Sequence, residues 1–160
     1  MLGVKLMNMH ADLELLMDKI RKEKQLFVKM QVISRRQVEL LQNSREDIEA
    51  INKFVALIDE RQGLMDKIDL LSRQRTAIET EFGEDIMGQE QYRDYQGERA
   101  VICSIIKSIQ GNDSKCNELA REIMEQTGDK LANTRNNRKA VKAYLNPDMY
   151  SEACFFDRKK

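Results

Sequence analysis

Ile102, Ile105, Ile109, Asn112, Cys116, Leu119 and Ile123 follow one another at alternating steps of three and four, a spacing that an α-helix gathers onto one face. The series passes through SIQGNDSK, a stretch whose composition taken alone reads as a turn. A turn would have to restore the register on its far side by accident. The phase therefore predicts one continuous helix with Gly111 inside it and Asn112 as a polar residue of the seam. A glycine in mid-helix costs about 1 kcal/mol relative to alanine, and burial of several side chains at roughly 1.5–3 kcal/mol each outweighs that.

The same spacing organises the rest of the chain. From His10 to Leu41, the residues Leu13, Leu16, Met17, Ile20, Phe27, Met30, Val38 and Leu41 predict a first helix over 10–42. Ser44, followed three residues later by Asp47, reads as a capping box. Ile48, Ile51, Val55, Ile58 and Met65 then mark a second helix over 46–80, in which Ile68, Leu71 and Ile78 resume the stripe one position out of step near Gly63. Glycines at 83, 88 and 97 beside Phe82, Ile86, Met87, Tyr92 and Tyr95 predict a turn and a short cap helix at about 84–96. The third long helix is expected over 98–144. With one proline and seven glycines in 160 residues, the chain lacks the punctuation that strands require. The expectation is all-α: an elongated antiparallel bundle or coiled coil of three long helices forming one domain over 1–146, with a tail over 147–160.

Composition narrows the functional classes. The 27 acidic residues balance the 27 basic ones, so no global field steers the chain to nucleic acid or an anionic membrane. Basic excess lies in 1–42 and 135–160, acidic excess in 43–90. Cys103, Cys116 and Cys154 form no C-x-x-C pair, which points to a reducing cytosol rather than a disulfide framework or a zinc site. Charges at Lys5, Asp12 and Glu14 interrupt any signal-peptide core, and no run of eighteen apolar residues occurs.

No phosphate-cradling glycine loop, HExxH or GxSxG is present. His10 is the one histidine and reads as a surface or capping residue rather than a base, because acid–base chemistry needs a positioned partner. Glu79, Glu81, Glu84 and Asp85 lack the spacing of a calcium loop. The expectation is a protein without catalytic residues, metal or cofactor. Met17, Met30, Met65 and Met124 are expected as core filler.

Beyond Ile123 the stripe thins, and Gly128, Asn133, Asn136 and Asn137 lower helix propensity until Pro147 ends the element. Four of the nine aromatic residues, Tyr144, Tyr150, Phe155 and Phe156, lie in the closing AYLNPDMYSEACFFDRKK. Tyr150, Phe155 and Phe156 are expected to borrow an apolar surface, either as a displaceable cover over a binding face or as a permanent staple to the core.

The stretch SREDIEAINKFVALIDERQGLMDKIDLLSRQR resembles the FlgN/FliT-type flagellar export chaperones, through an acidic-Ile-Glu-x-Ile start at Asp47–Ile51 and a Glu-Arg-Gln-x-Leu-Met-Asp-Lys-Ile-Asp run at Glu60–Asp69. RKAVKAYLNP and the final FFDRKK are similar to tails in some FlgN-like proteins. The resemblance implies a small cytoplasmic helical protein, not an ATPase, that holds hook-associated or filament-cap subunits and assists their delivery to the type III export apparatus. Export-gate components would be further partners, and the resemblance leaves monomer or homodimer open. Carried to this chain, the client-binding face would comprise Leu119, Ile123, Leu131, Val141 and Tyr144. The competing reading is a structural coiled coil or scaffold without a client, which would keep its heptads to the end.

Overall fold

A computed structural model of the chain describes residues 2–43 and 47–127, with side chains from residue 10 onward except those of 82, 84, 85, 126 and 127. Three helices make up this part: α1 (Leu2–Asn43), α2 (Ile48–Met87) and α3 (Glu90–Thr127). Among the described residues no strand occurs and no helix is long and apolar enough to cross a membrane. The chain divides into two compact units, Met1–Lys29 with Gly63–Ile105, and Met30–Gln62 with Ile106–Lys160. In each, all three helices pack against one another.

The buried positions of α1 are 13, 16, 20, 23, 27, 30, 34, 37 and 41, with Ile33 and Val38 beside them. This is an unbroken alternation of three and four, the signature of a coiled-coil seam. Every apolar residue expected on this face is buried except Met17, which is half-buried. The seam also carries Glu23, Ser34 and Gln37, all buried, and an inspection limited to apolar residues leaves these as gaps.

The buried face of α2 differs from expectation. Its seam is Ala50, Phe54, Leu57, Arg61, Leu64, Ile68 and Arg75, whereas Ile51, Val55, Ile58 and Met65 are half-buried flanks and Ile48 is 75% exposed. The apparent slip near Gly63 is not a break in the helix. Arg61 and Arg75 occupy seam positions, so counting apolar residues alone followed the flank and crossed the true stripe at Ile68.

The start of α2 is also capped differently. Asp47 Oδ1 accepts a hydrogen bond from the Glu49 amide at 2.9 Å, and the Asp47 carbonyl accepts from Ile51 N at 3.2 Å. Asp47 is itself the N-cap, satisfying one of the amides a helix start leaves unpaired. Ser44 lies outside the described residues.

The separate cap helix expected at about 84–96 is absent. α2 continues to Met87, residues 88 and 89 make the turn, and α3 begins at Glu90, ahead of the expected start at 98. Ile86 and Tyr95, 1% and 0% exposed, anchor the two flanking helix ends. Burial there holds Gly83 and Gly97 in helix against their weak propensity.

Gly111 lies inside α3, as the phase requires. A Cβ built there meets nothing within 4 Å. Gly111→Ala is therefore expected to raise stability by about 0.4–1 kcal/mol, read as a higher denaturation midpoint at unchanged slope. A clear drop in midpoint would contradict this. The expected extension of α3 to 144 and the tail over 147–160 lie outside the described residues.

Candidate functional site

Two buried polar layers and one apolar cluster are the distinctive features of the described helices. In the first compact unit, Arg75 donates from Nε to Glu23 at 3.0 Å and from Nη1 to the Tyr95 hydroxyl at 2.6 Å. The Tyr95 hydroxyl in turn donates to Glu79. Glu79 lies 3.5 Å from Arg75 and 3.9 Å from Arg99, and both guanidiniums stand about 6 Å from the Tyr95 ring centre, within cation–π range. The layer is charge-balanced, with two acids against two bases.

Burial raises the Glu23 carboxyl above its usual range even though Arg75 opposes the rise. Burial also opposes the Arg75 charge, but Glu23 and Tyr95 hold it on, and the guanidinium ends above its ordinary value. The Tyr95 phenol is raised by burial and by its bond to Glu79.

In the second unit, Arg61 grips Asp113 through two parallel bonds, Nη1 to Oδ1 at 2.7 Å and Nη2 to Oδ2 at 2.9 Å, and also donates to Gln37 Oε1 at 3.0 Å. This fork geometry is the strong form of an arginine–carboxylate contact. Asn112 donates to Ser34 Oγ at 2.9 Å, while Ser34 Oγ donates to the Gln31 carbonyl. Gln31 donates to Ser108 Oγ at 2.9 Å. α3 buries Ile106 where Ile105 was expected, so its observed phase runs Ile102, Ile106, Ile109, Asp113 and Cys116; the half-buried Asn112, expected in the seam, stands beside it, and its bond to Ser34 satisfies the amide.

Beyond this layer lies a cluster of Val38, Leu41, Phe54, Cys116 and Ile123, with Leu40, Ile58, Leu119 and Ala120 packed against it. Two of the expected client-contact residues are here. Ile123 is 6% exposed and belongs to the protein's own core, and Leu119 is half-buried on its edge. Met124, expected as core filler, is instead 36% exposed on the adjacent turn. Leu131, Val141, Tyr144, Tyr150, Phe155 and Phe156 lie outside the described residues.

His10 is exposed. Glu79 belongs to the polar layer, Glu81 is exposed, and the side chains of Glu84 and Asp85 are outside the described set. Among the described residues, no group of three or more His, Cys, Asp or Glu side chains is placed to hold a metal ion. The polar layers were missed by apolar periodicity. Their signal was present in the sequence as polar residues at fourteen-residue intervals within the seams, Glu23 with Gln37 and Arg61 with Arg75.

Cys116 gives this region a pH dependence. Burial, followed by the nearby Asp113 charge, pushes its thiol up to about 12 from an ordinary 9. A raised folded value means that the fold favours the protonated thiol, so its contribution is complete below pH 9 and is lost as pH rises toward 12. Between pH 8.5 and 10.5 the loss should reach about 2 kcal/mol, at 1.36 kcal/mol per unit above the unfolded pKa. Cys116→Ala should reduce this alkaline slope in denaturation midpoints, and an unchanged slope would place its origin elsewhere.

Searches against protein-family models, curated proteins and solved structures gave no match for this chain.

Proposed function

We propose that the chain is a cytoplasmic export chaperone of the flagellar type, which binds hook-associated or filament-cap subunits, prevents their premature assembly and assists their delivery to the type III export apparatus. It acts by contact, without catalysis or cofactor. One observation carries the reading: the residues of the family-like run that a generic leucine-and-charge helix would not need have specific structural roles. Asp47 caps α2, and Arg61, from the Glu-Arg-Gln run, sits in the seam bonded to Gln37 and Asp113. The buried Arg61 supports the reading by giving the family-like run a place in the seam of the bundle.

An antiparallel course of α1 and α2 in the second unit is supported by Gln37 pairing with Arg61 while Leu41 clusters with Phe54. A parallel course of α1 and α3 there is supported by the Gln31–Ser108 and Ser34–Asn112 bonds. In this reading the client lies along Leu131, Val141 and Tyr144, extending from the exposed Met124 and the edge of Leu119, and Ile123 serves the core beneath. Tyr150, Phe155 and Phe156 cover that face when no client is present.

The scaffold reading draws on a different observation, the regular heptads that persist to Ile123. Co-purification from the native cytosol separates the two. The chaperone reading expects a stoichiometric hook-junction or filament-cap subunit. Absence of both, with a cytoskeletal partner in equal amount, would overturn it.

A further inference from the structure

α3 is held unevenly in the second unit. At its near end the attachment is polar: Asp113 in the fork of Arg61, and Asn112 on Ser34. Past Asp113, Cys116 and Ile123 are the buried apolar side chains among the described residues of α3, with Leu119 and Ala120 partly buried. α1 and α2 bring larger surfaces to the same cluster, Val38, Leu41 and Phe54, and are joined independently of α3 by the Gln37–Arg61 bond. Gly111 stands immediately before the polar attachment, with no neighbouring atom within 4 Å of the position a Cβ would take, and glycine is the residue at which a helix opens at least cost.

We infer that Asn112–Thr127 is a strap, hinged at Gly111, that opens from the Val38–Leu41–Phe54 face while α1 and α2 of that unit stay folded. Two physical arguments support this. Water replaces the hydrogen bonds of Asp113 and Asn112 when the strap lifts, whereas separating α1 from α2 would expose Phe54 and its aliphatic neighbours outright. Segments with few buried apolar contacts also open below the global unfolding free energy, as cooperative pieces. The occupant of the face is therefore the chain's own α3, held through Asp113 and Asn112 at its near end and through Cys116, Leu119, Ala120 and Ile123 beyond them. The inference does not depend on the chaperone reading.

Cys116 reports the opening. It is 1% exposed in the closed state, and its raised pKa leaves almost no thiolate there, so a maleimide can reach it only when the strap is open. The experiment is peptide-resolved alkylation of the full-length protein across a denaturant series, with Cys103, half-buried in the other unit, as a comparison. Opening of the strap predicts Cys116 labelling at least about ten-fold faster than global unfolding allows, with little denaturant dependence at low concentrations. Gly111→Ala should slow it about two- to five-fold, the equivalent of 0.4–1 kcal/mol. Asp113→Ala should speed it by about ten-fold or more by leaving Arg61 with less compensation. Glu98→Ala, which breaks the Lys24 pair in the first unit, should leave it unchanged. Labelling of wild-type Cys116 at the global unfolding rate, with the full denaturant slope, would overturn the strap whatever the variants do.

Discussion

Arg75→Ala is expected to destabilise the protein by about 3–5 kcal/mol, because it strands a buried carboxylate. Glu23 is 6% exposed in its side chain and faces Arg75 at 3.0 Å. Without the guanidinium, the desolvation that already raises its pKa is opposed only by the Arg99 charge, a smaller effect than that of Arg75. A carboxyl whose folded pKa lies above the unfolded value of about 4.5 loses stability as pH rises through the interval between them. The gap between variant and wild type should therefore be widest near neutral pH and narrow toward pH 4. Glu23→Leu combined with Arg75→Met should recover most of the loss, since buried ion pairs are often matched by apolar residues of similar volume. Tyr95 and Glu79 keep their own bond in that variant. Urea midpoints at pH 4.5 and 7 give all the comparisons. A loss below 1 kcal/mol for Arg75→Ala would mean that water reaches the layer.

The second large effect separates the two possible registers of α2. Phe54→Ala should cost about 3–5 kcal/mol, as truncation of a buried phenylalanine does, because Phe54 is 3% exposed and lies in the Val38–Leu41–Cys116–Ile123 cluster. Ile48→Ala, on a side chain 75% exposed, should change stability by less than about 0.5 kcal/mol. The register suggested by apolar periodicity alone gives the opposite order. For a chain of this size the Phe54 loss corresponds to a fall in melting temperature of about 2–4 °C per kcal/mol. Equal losses for the two variants would contradict the seam as described.

These variants bear on what the sequence allowed to be read. The α1 face was legible because its apolar residues outnumber the polar ones in the seam. Leu13, Leu16, Ile20, Phe27, Met30, Val38 and Leu41 alone define the stripe. α2 was misread because its seam contains two arginines and an alanine, while its flank is rich in isoleucine and valine. Hydrophobicity ranks such a flank above the true core, and only the partners Glu23, Gln37 and Asp113 on other helices reverse that ranking. Gly111 was placed correctly because phase on both sides of a residue carries more information than its own propensity. The glycines at 83 and 97 lacked such flanking phase, and burial of Ile86 and Tyr95, which depends on tertiary packing, decided their conformation.

The candidate site was legible only in part. Leu119 and Ile123 lie on one helical stripe whether that stripe faces a client or the chain's own core, and periodicity does not distinguish the two. The structure assigns Ile123 to the core through Val38, Leu41 and Phe54. The proposed client face consequently moves toward Leu131, Val141 and Tyr144, where the sequence keeps apolar residues among asparagines and charges. A partner helix that docks by its apolar stripe needs only a few such anchors.

The most direct measurement of the central claim is a calorimetric titration of the full-length protein with purified hook-associated and filament-cap subunits, repeated with Val141→Ala/Tyr144→Ala. Stoichiometric binding to one of these subunits is expected, with an affinity loss of about ten-fold or more in the double variant and an almost unchanged melting temperature. No binding to any of these subunits would contradict that claim, and unchanged affinity with a collapsed melting temperature would show that Val141 and Tyr144 are core residues and that the client face has been misplaced.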